Sequence, residues 1–445
     1  MLKRYEPTPE QPWNVGRVVH LHRRAGFAAS WSEIQRDLVD GPEVAVARLL
    51  HTKANPQRAN ADEAASEFEQ MSSVICDAAV GSGNINRLKA WWLYRMLFTP
   101  DPLGERLTLL WHNHFATSNI KVADVNLMRQ QNVIFRQLSR APFGEMLRRV
   151  AKDPAMLVWL DADANRKKHP NENLAREIME LFSLGVGNYS EDDIKEAARA
   201  LTGWSVNKGK FRVYDQYHDD GEKTILGKSG KWTGDDLVRM LVEHPATSRR
   251  LAFRICGLFM GAKPVADDII DKLARGLRER DLDIGWAIET VLHSEAFFSD
   301  DNIGNRVRGP IEFVIGVARS LEITDPPPST LLLAEVTANL GQDLFYPPNV
   351  AGWPGGRSWL TSRALIGRAN FASALAVGEL LTPAKPINAT ALAELHGFTK
   401  AQDIGSFFAQ LLIGQSQLPT ELRPFAKTPN RLVASILASP EAQLS

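Results

Sequence analysis

The feature that most constrains this chain is the return, segment after segment, of apolar residues at three-to-four spacing. That period puts them on one face of a helix and on no single face of a strand. Between Asn86 and Phe98, Leu88, Trp91, Trp92, Leu93, Met96 and Leu97 cluster in this way. Pro102 then stands where a first-turn proline belongs, and Leu103, Leu107, Leu110, Trp111 and His114 share the next face. Gln130 to Leu138 and Phe143 to Val150 read as two shorter helices parted by Pro142. From Pro170 to Gly187 a polar start, a periodic middle and a stop at Gly185 and Gly187 reproduce the asymmetry of helix ends. Ser190 and Asp193 match a capping box, followed by the inner stripe Ile194, Ala197, Ala198 and Leu201. The period returns from Thr233 to about Ser299 and again at 310–322. It closes the chain at Ala364 to about Leu381, Ile404 to about Ile413 and Arg431 to about Leu437. The expected fold is all-α, a multi-helix globular chain.

Two stretches break the pattern. Phe211, Val213 and Tyr214, the Asp-Asp-Gly at 219–221, and Thr224, Ile225 and Leu226 predict one small β-hairpin or ordered loop near 205–230. Pro326, Pro327 and Pro328 mark a linker or turn, and a Pro/Gly-rich segment with Trp353 and Trp359 follows at 345–360. The tryptophans there are best explained as anchors packing an irregular loop onto the body. The expected organisation is a main helical domain at 1–325, with the loop and C-terminal helices of 326–445 packing on it.

A chain of 445 residues with 44% apolar and 23% charged residues can bury a substantial core and fold by itself. Lys plus Arg and Asp plus Glu both number 52, so no bulk charge draws it to nucleic acid or to an anionic membrane. The first thirty residues hold no apolar run long enough for a secretory leader, and no stretch approaches the ~20 apolar residues of a membrane span. Cys76 and Cys256 are too few for a disulfide framework. These features predict a cytoplasmic protein.

Chemistry could sit in three places. In Trp111-His112-Asn113-His114-Phe115 the letters of a nuclease motif are adjacent rather than dispersed. If the helix continues through them, His112 and His114 point about 200° apart and cannot share a ligand. If it stops at Asn113, they converge. The alternative is two core histidines satisfied by hydrogen bonds. Second, in Asn171 to Phe182, Asn173, Glu177 and Glu180 fall within a sector of about 60° beside the apolar stripe Leu174, Ile178 and Leu181. Carboxylates so near a core need a cation, which could be a metal ion, Arg176 or Arg199. The structural alternative is a helix laced by Glu172–Arg176 and Arg176–Glu180 pairs. Third, His218-Asp219-Asp220-Gly221 places an imidazole and two carboxylates on a turn, suited to a metal ion or simply to turning the chain. Nucleotide-binding glycine motifs, a GxSxG elbow and a haem-attachment motif are all missing.

Taken in order, His112-Asn113-His114-Phe115, Asp153-Pro154-Ala155-Met156, NENLAREIMELFSLGVG at 171–187, AARALTGW at 197–204, His218-Asp219 with Lys223 and Gly227, and PPNVAGWPGG at 347–356 resemble the bacterial family called domain of unknown function 1800. The resemblance runs from about Arg23 to about Arg368. It implies a mostly helical fold, and a partner of the sulfatase or alkaline-phosphatase kind encoded beside it. Some relatives carry export signals. The family's recurring polar positions fall on His112, His114, Glu172, Glu177, Glu180, Asp193, Arg199, His218 and Asp219.

Two functions are open. One is a metal-assisted or two-carboxylate hydrolase, in which His112, His114, Glu177, Glu180 and His218 ligate a divalent metal ion or supply an acid–base pair while Asp219 orients a histidine. The other is a non-catalytic binding or maturation partner of the phosphatase-like neighbour. They separate on whether those five groups converge on a pocket or Glu177 and Glu180 meet only arginines.

Overall fold

A computed structural model describes residues 2–50, 61–261, 265–323, 326–378 and 386–445. The protein is 63% helical, with two small two-stranded antiparallel sheets. Where periodicity and caps agree, the helices fall where the sequence puts them: Ile85–Phe98, Pro102–His114, Phe143–Ala151, Glu191–Ala200 and Pro310–Ser320. Ser190 and Asp193 form the expected capping box, each side chain bonding the other's main-chain N–H. The helix expected from Gln130 starts earlier, at Val125, because Asp124 caps it. The late helix Ser362–Val377 ends at Gly378, and the expected continuation to Leu381 lies outside the described residues, as does a boundary at 325.

The segment 205–230 holds two hairpins rather than one. Trp204–Asn207 pairs with Lys210–Val213, and Lys223–Ile225 with Lys228–Gly230. Each two-residue turn, Lys208-Gly209 and Leu226-Gly227, has both residues at positive φ, the backbone that matches the twist of the flanking strands.

Two large apolar cores organise the helices. One gathers Leu103, Leu107, Trp111, Phe182, Ile194, Leu237 and Leu251; the other gathers Trp92, Met96, Ile311, Val314, Phe371, Phe407 and Leu432. The helix Pro102–His114 lies between them, giving Leu107 to the first and Leu109 to the second. The N-terminal helix Val15–Ala25 divides likewise, with Leu21 in the first and Val18 in the second. A small third cluster holds Trp353 and Trp359 with Val307, so both tryptophans are buried anchors of the irregular loop. No helix among the described residues is long and apolar enough to cross a membrane.

Candidate functional site

The helix Pro102–His114 runs through both histidines, so they diverge. His112 faces the second core, edge-on to Trp92 and Phe345, and its Nε2 accepts the Phe345 N–H at 3.3 Å. His114 faces the first core, against Phe115 and Phe143, and its Nε2 donates to the Phe182 carbonyl at 3.1 Å. Burial pushes the His112 imidazole down to about 3. His114 is lowered well below the usual range by burial, then by the nearby Arg254. Both rings are neutral packing groups at physiological pH.

The NEN segment begins as a helix, Asn173–Glu177, and continues as a π-helix, Ile178–Leu184, ending at Gly185 (φ +79°). The wider turn is visible in its bonds: the Gly185 N–H donates to the Glu180 carbonyl, and the Ser183 hydroxyl to the Ile178 carbonyl, each five residues back. The Phe182 carbonyl is left for His114, and that of Leu181 is approached by Arg250 at 3.5 Å. The widened turn is thus tied to two other helices.

The carboxylates of this segment divide. Glu172 pairs with Arg176, which also grips Glu191 of the next helix with two bonds of 3.0 and 2.8 Å. Asn173 donates to Asp161 at 3.3 Å. Glu180 accepts from the Tyr189 hydroxyl, whose pKa is pushed up to about 12 by partial burial and by that carboxylate. Glu177 is half-buried and its carboxyl is raised, by burial first and by Glu180 second. The cation beside Glu180 is Arg250. Of the cations the sequence offered, Arg176 bonds Glu172 and Glu191 while its charge also acts on Glu177, and Arg199 bonds Asp219 and Glu196. Arg250 and Tyr189 escape sequence reasoning because no periodic or motif signal links them to Glu180.

His218 and Asp219 join a third network. The His218 Nδ1 donates to the Thr202 carbonyl at 3.0 Å. Asp219 is clasped by Arg199 through bonds of 2.8 and 3.2 Å, and that guanidinium, with help from the Gly221 N–H, holds its carboxyl below the usual range. Its expected role of orienting a histidine therefore has no bond behind it. Asp193, besides capping its helix, accepts the Leu226 N–H at 2.6 Å, and Arg199 also binds Glu196. This network fastens the second hairpin to the helix Glu191–Ala200.

The structure thus brings together Asp193, Arg199 and Asp219, and separately Glu172 with Arg176, and Glu177 with Glu180. It does not gather His112, His114, Glu177, Glu180 and His218. Among the described residues no group of three or more His, Cys, Asp or Glu is placed to hold a metal ion, so the donor set does not fit one. Cavities of about 670, 280 and 280 Å³ are lined by none of these candidates.

Fold and site together define a mainly helical protein in which His112, His114, Glu180, Asp193, Arg199, His218 and Asp219 are hydrogen-bonded within its own architecture. The chain matches the family described as Protein of unknown function (DUF1800) over residues 20–444 and belongs to it. No curated protein and no solved structure matches it.

Proposed function

We propose that the chain is a non-catalytic helical binding module, and that the end of the NEN segment is the face it offers to a partner. What carries this reading is the contrast between two sets of groups. The histidines and Asp219, which chemistry would use, are already bonded within the fold. Val186, just past the π-turn, and Phe253, on the helix Pro245–Phe259, are left 78% and 54% exposed. They stand on neighbouring segments: Arg250 lies 3.6 Å from where a Cβ on Gly185 would be, next to Val186, and Phe253 sits one turn beyond Arg250 on the same helix. Half-buried Glu177 and Glu180 lie earlier on the segment that runs into Val186, and the charge of Glu180 acts on Arg250. A partner presenting an apolar side chain flanked by Lys or Arg is complementary to this face. The phosphatase- or sulfatase-like protein expected to be encoded beside this family is the partner to test.

The test is a calorimetric titration of the chain with that purified neighbour. Saturable binding weakened at least tenfold by Phe253→Ser and by Glu177→Gln/Glu180→Gln supports the reading; absence of binding, or binding indifferent to both, removes it. A second reading rests on the raised Glu177 carboxyl beside Glu180. Two carboxyls in unlike environments are the arrangement of an acid and its companion in glycoside hydrolysis. A hydrolytic activity lost in Glu177→Gln, without any partner, would favour it.

A further inference from the structure

Away from the NEN segment, a cavity of about 280 Å³ lies between the helix Val15–Ala25 and residues 441–445, walled among others by Gly16, Val19, His20, Arg23, Glu441 and Leu444. Two of these are polar groups withdrawn from water, His20 at 2% and Arg23 at 8% exposure. Around them Arg24, Arg308 and Arg368 are buried too. Among the described residues, Glu312 is clasped by Arg106 and Arg306, the exposed Asp300 pairs with Arg17, and Glu441 stands partly exposed in the cavity wall without an ion pair to Arg23. Arg23 and Arg24 bond uncharged oxygens instead: Arg23 the main-chain oxygens of Leu412 and Leu444, Arg24 those of Phe259, Asn302 and Ser445 together with the Asn305 side-chain oxygen. A guanidinium does not shed its proton in a protein, and carbonyl dipoles compensate a buried charge only in part. Arg23, the arginine in the cavity wall, is thus a buried charge with no carboxylate bonded to it among the described residues, and an anion there would meet it.

His20 adds selectivity. Its Nε2 donates to the Phe297 carbonyl at 3.0 Å, which fixes the proton on that nitrogen and leaves Nδ1 as a buried acceptor with no partner among the described residues. Burial and then the charges of Arg24, Arg23 and Arg17 keep the ring neutral. An anion that satisfies both Arg23 and Nδ1 must carry negative oxygens and one O–H. Phosphate near neutral pH has both, whereas sulfate has no proton to give. The volume lies just under the roughly 300–1,000 Å³ of sites for larger ligands, which suits a phosphate group on little or nothing else.

We propose that this cavity binds a small phosphate species, with Arg23 facing its charge and His20 Nδ1 accepting from its P–OH. The inference is independent of the docking face. It is tested by calorimetry on the full chain in phosphate-free buffer at constant ionic strength, titrating inorganic phosphate, glycerol phosphate and sulfate. Arg23 also ties down two chain segments, so the informative variant is Gln415→Glu, which adds a negative charge at the exposed rim. Expected is saturable phosphate binding at least tenfold tighter than sulfate and at least tenfold weakened in Gln415→Glu. Tighter binding of glycerol phosphate would assign the site to a monoester, and tighter binding of inorganic phosphate to the free ion. No saturable phosphate binding, equal affinity for sulfate, or binding that survives Gln415→Glu overturns the proposal.

Discussion

Asn113, set between the two histidines, fastens the irregular loop. Its Oδ1 accepts the Trp353 N–H at 2.7 Å, and Gly352 (φ +80°) comes so near that a Cβ there would lie 2.2 Å from that oxygen. Removing the acceptor leaves a half-buried N–H unpaired, so Asn113→Ala is expected to cost about 1–3 kcal/mol and to shift tryptophan emission to longer wavelength as Trp353 meets water. Unaltered emission and stability would show the loop to be held otherwise. Asp153, which caps the helix Pro154–Trp159, is fully buried, and burial raises its carboxyl from 3.8 to about 7 despite bonds from Met156 and Gln131. Between those values the native protein holds a proton the unfolded chain has lost. Stability is therefore highest below about pH 4 from this group and declines as pH rises to about 7. Asp153→Asn keeps the cap and should flatten that decline; melting temperatures at pH 5 and pH 8 should show the variant gaining on wild type at the higher pH.

At the scale of elements, the π-turn depends on donors from other helices. Replacing His114 by Phe preserves bulk but deprives the Phe182 carbonyl of its donor, and should destabilise the protein by about 1–3 kcal/mol in urea denaturation. A neutral effect would mean the turn is held by Ser183 and Gly185 alone. Most helices were legible in the sequence because a strip of leucines and tryptophans at helical period can be buried in only one way. The π-turn was not, since its five-residue bonds respond to partners from Pro102–His114 and Pro245–Phe259 that are remote in sequence. The two hairpins read as one because neither turn, Lys208-Gly209 or Leu226-Gly227, carries an Asn-Gly signal, while the Asp-Asp-Gly between them does resemble a turn. The N-terminal helix Val15–Ala25 hid for a different reason: Arg17, His20, His22, Arg23 and Arg24 are all buried, so a core-facing helix carries the composition of an exposed one. Of the candidate site, the placement of Glu177, Glu180, Asp193 and Arg199 on their helices was readable, but which groups paired was decided by tertiary packing.

At the scale of the whole molecule, the buried arginines converge on Glu312, which Arg306 grips with bonds of 2.7 and 2.8 Å and Arg106 meets from the other side. Burial alone would raise this carboxyl; the two guanidiniums hold it far below the usual range. With a depressed folded value, its contribution is complete above about pH 4.5 and is lost only as pH falls deep into acid. Glu312→Gln leaves two buried cations without their counter-ion and should cost about 3–5 kcal/mol at pH 7, read from urea midpoints. A cost below about 1 kcal/mol would show the arginines to be satisfied by carbonyls alone. That cluster also sets a schedule. Arg23 and Arg24 lie near the start of the chain, yet the oxygens of Leu444 and Ser445 that receive them are 421 residues away. At roughly 5–20 residues per second of synthesis, the first helix waits on the order of 20–85 s on the ribosome before its guanidiniums can be enclosed. For most of synthesis Arg23 lacks its acceptors on Leu412 and Leu444, and Arg24 has those of Phe259 and Asn302 before that of Ser445.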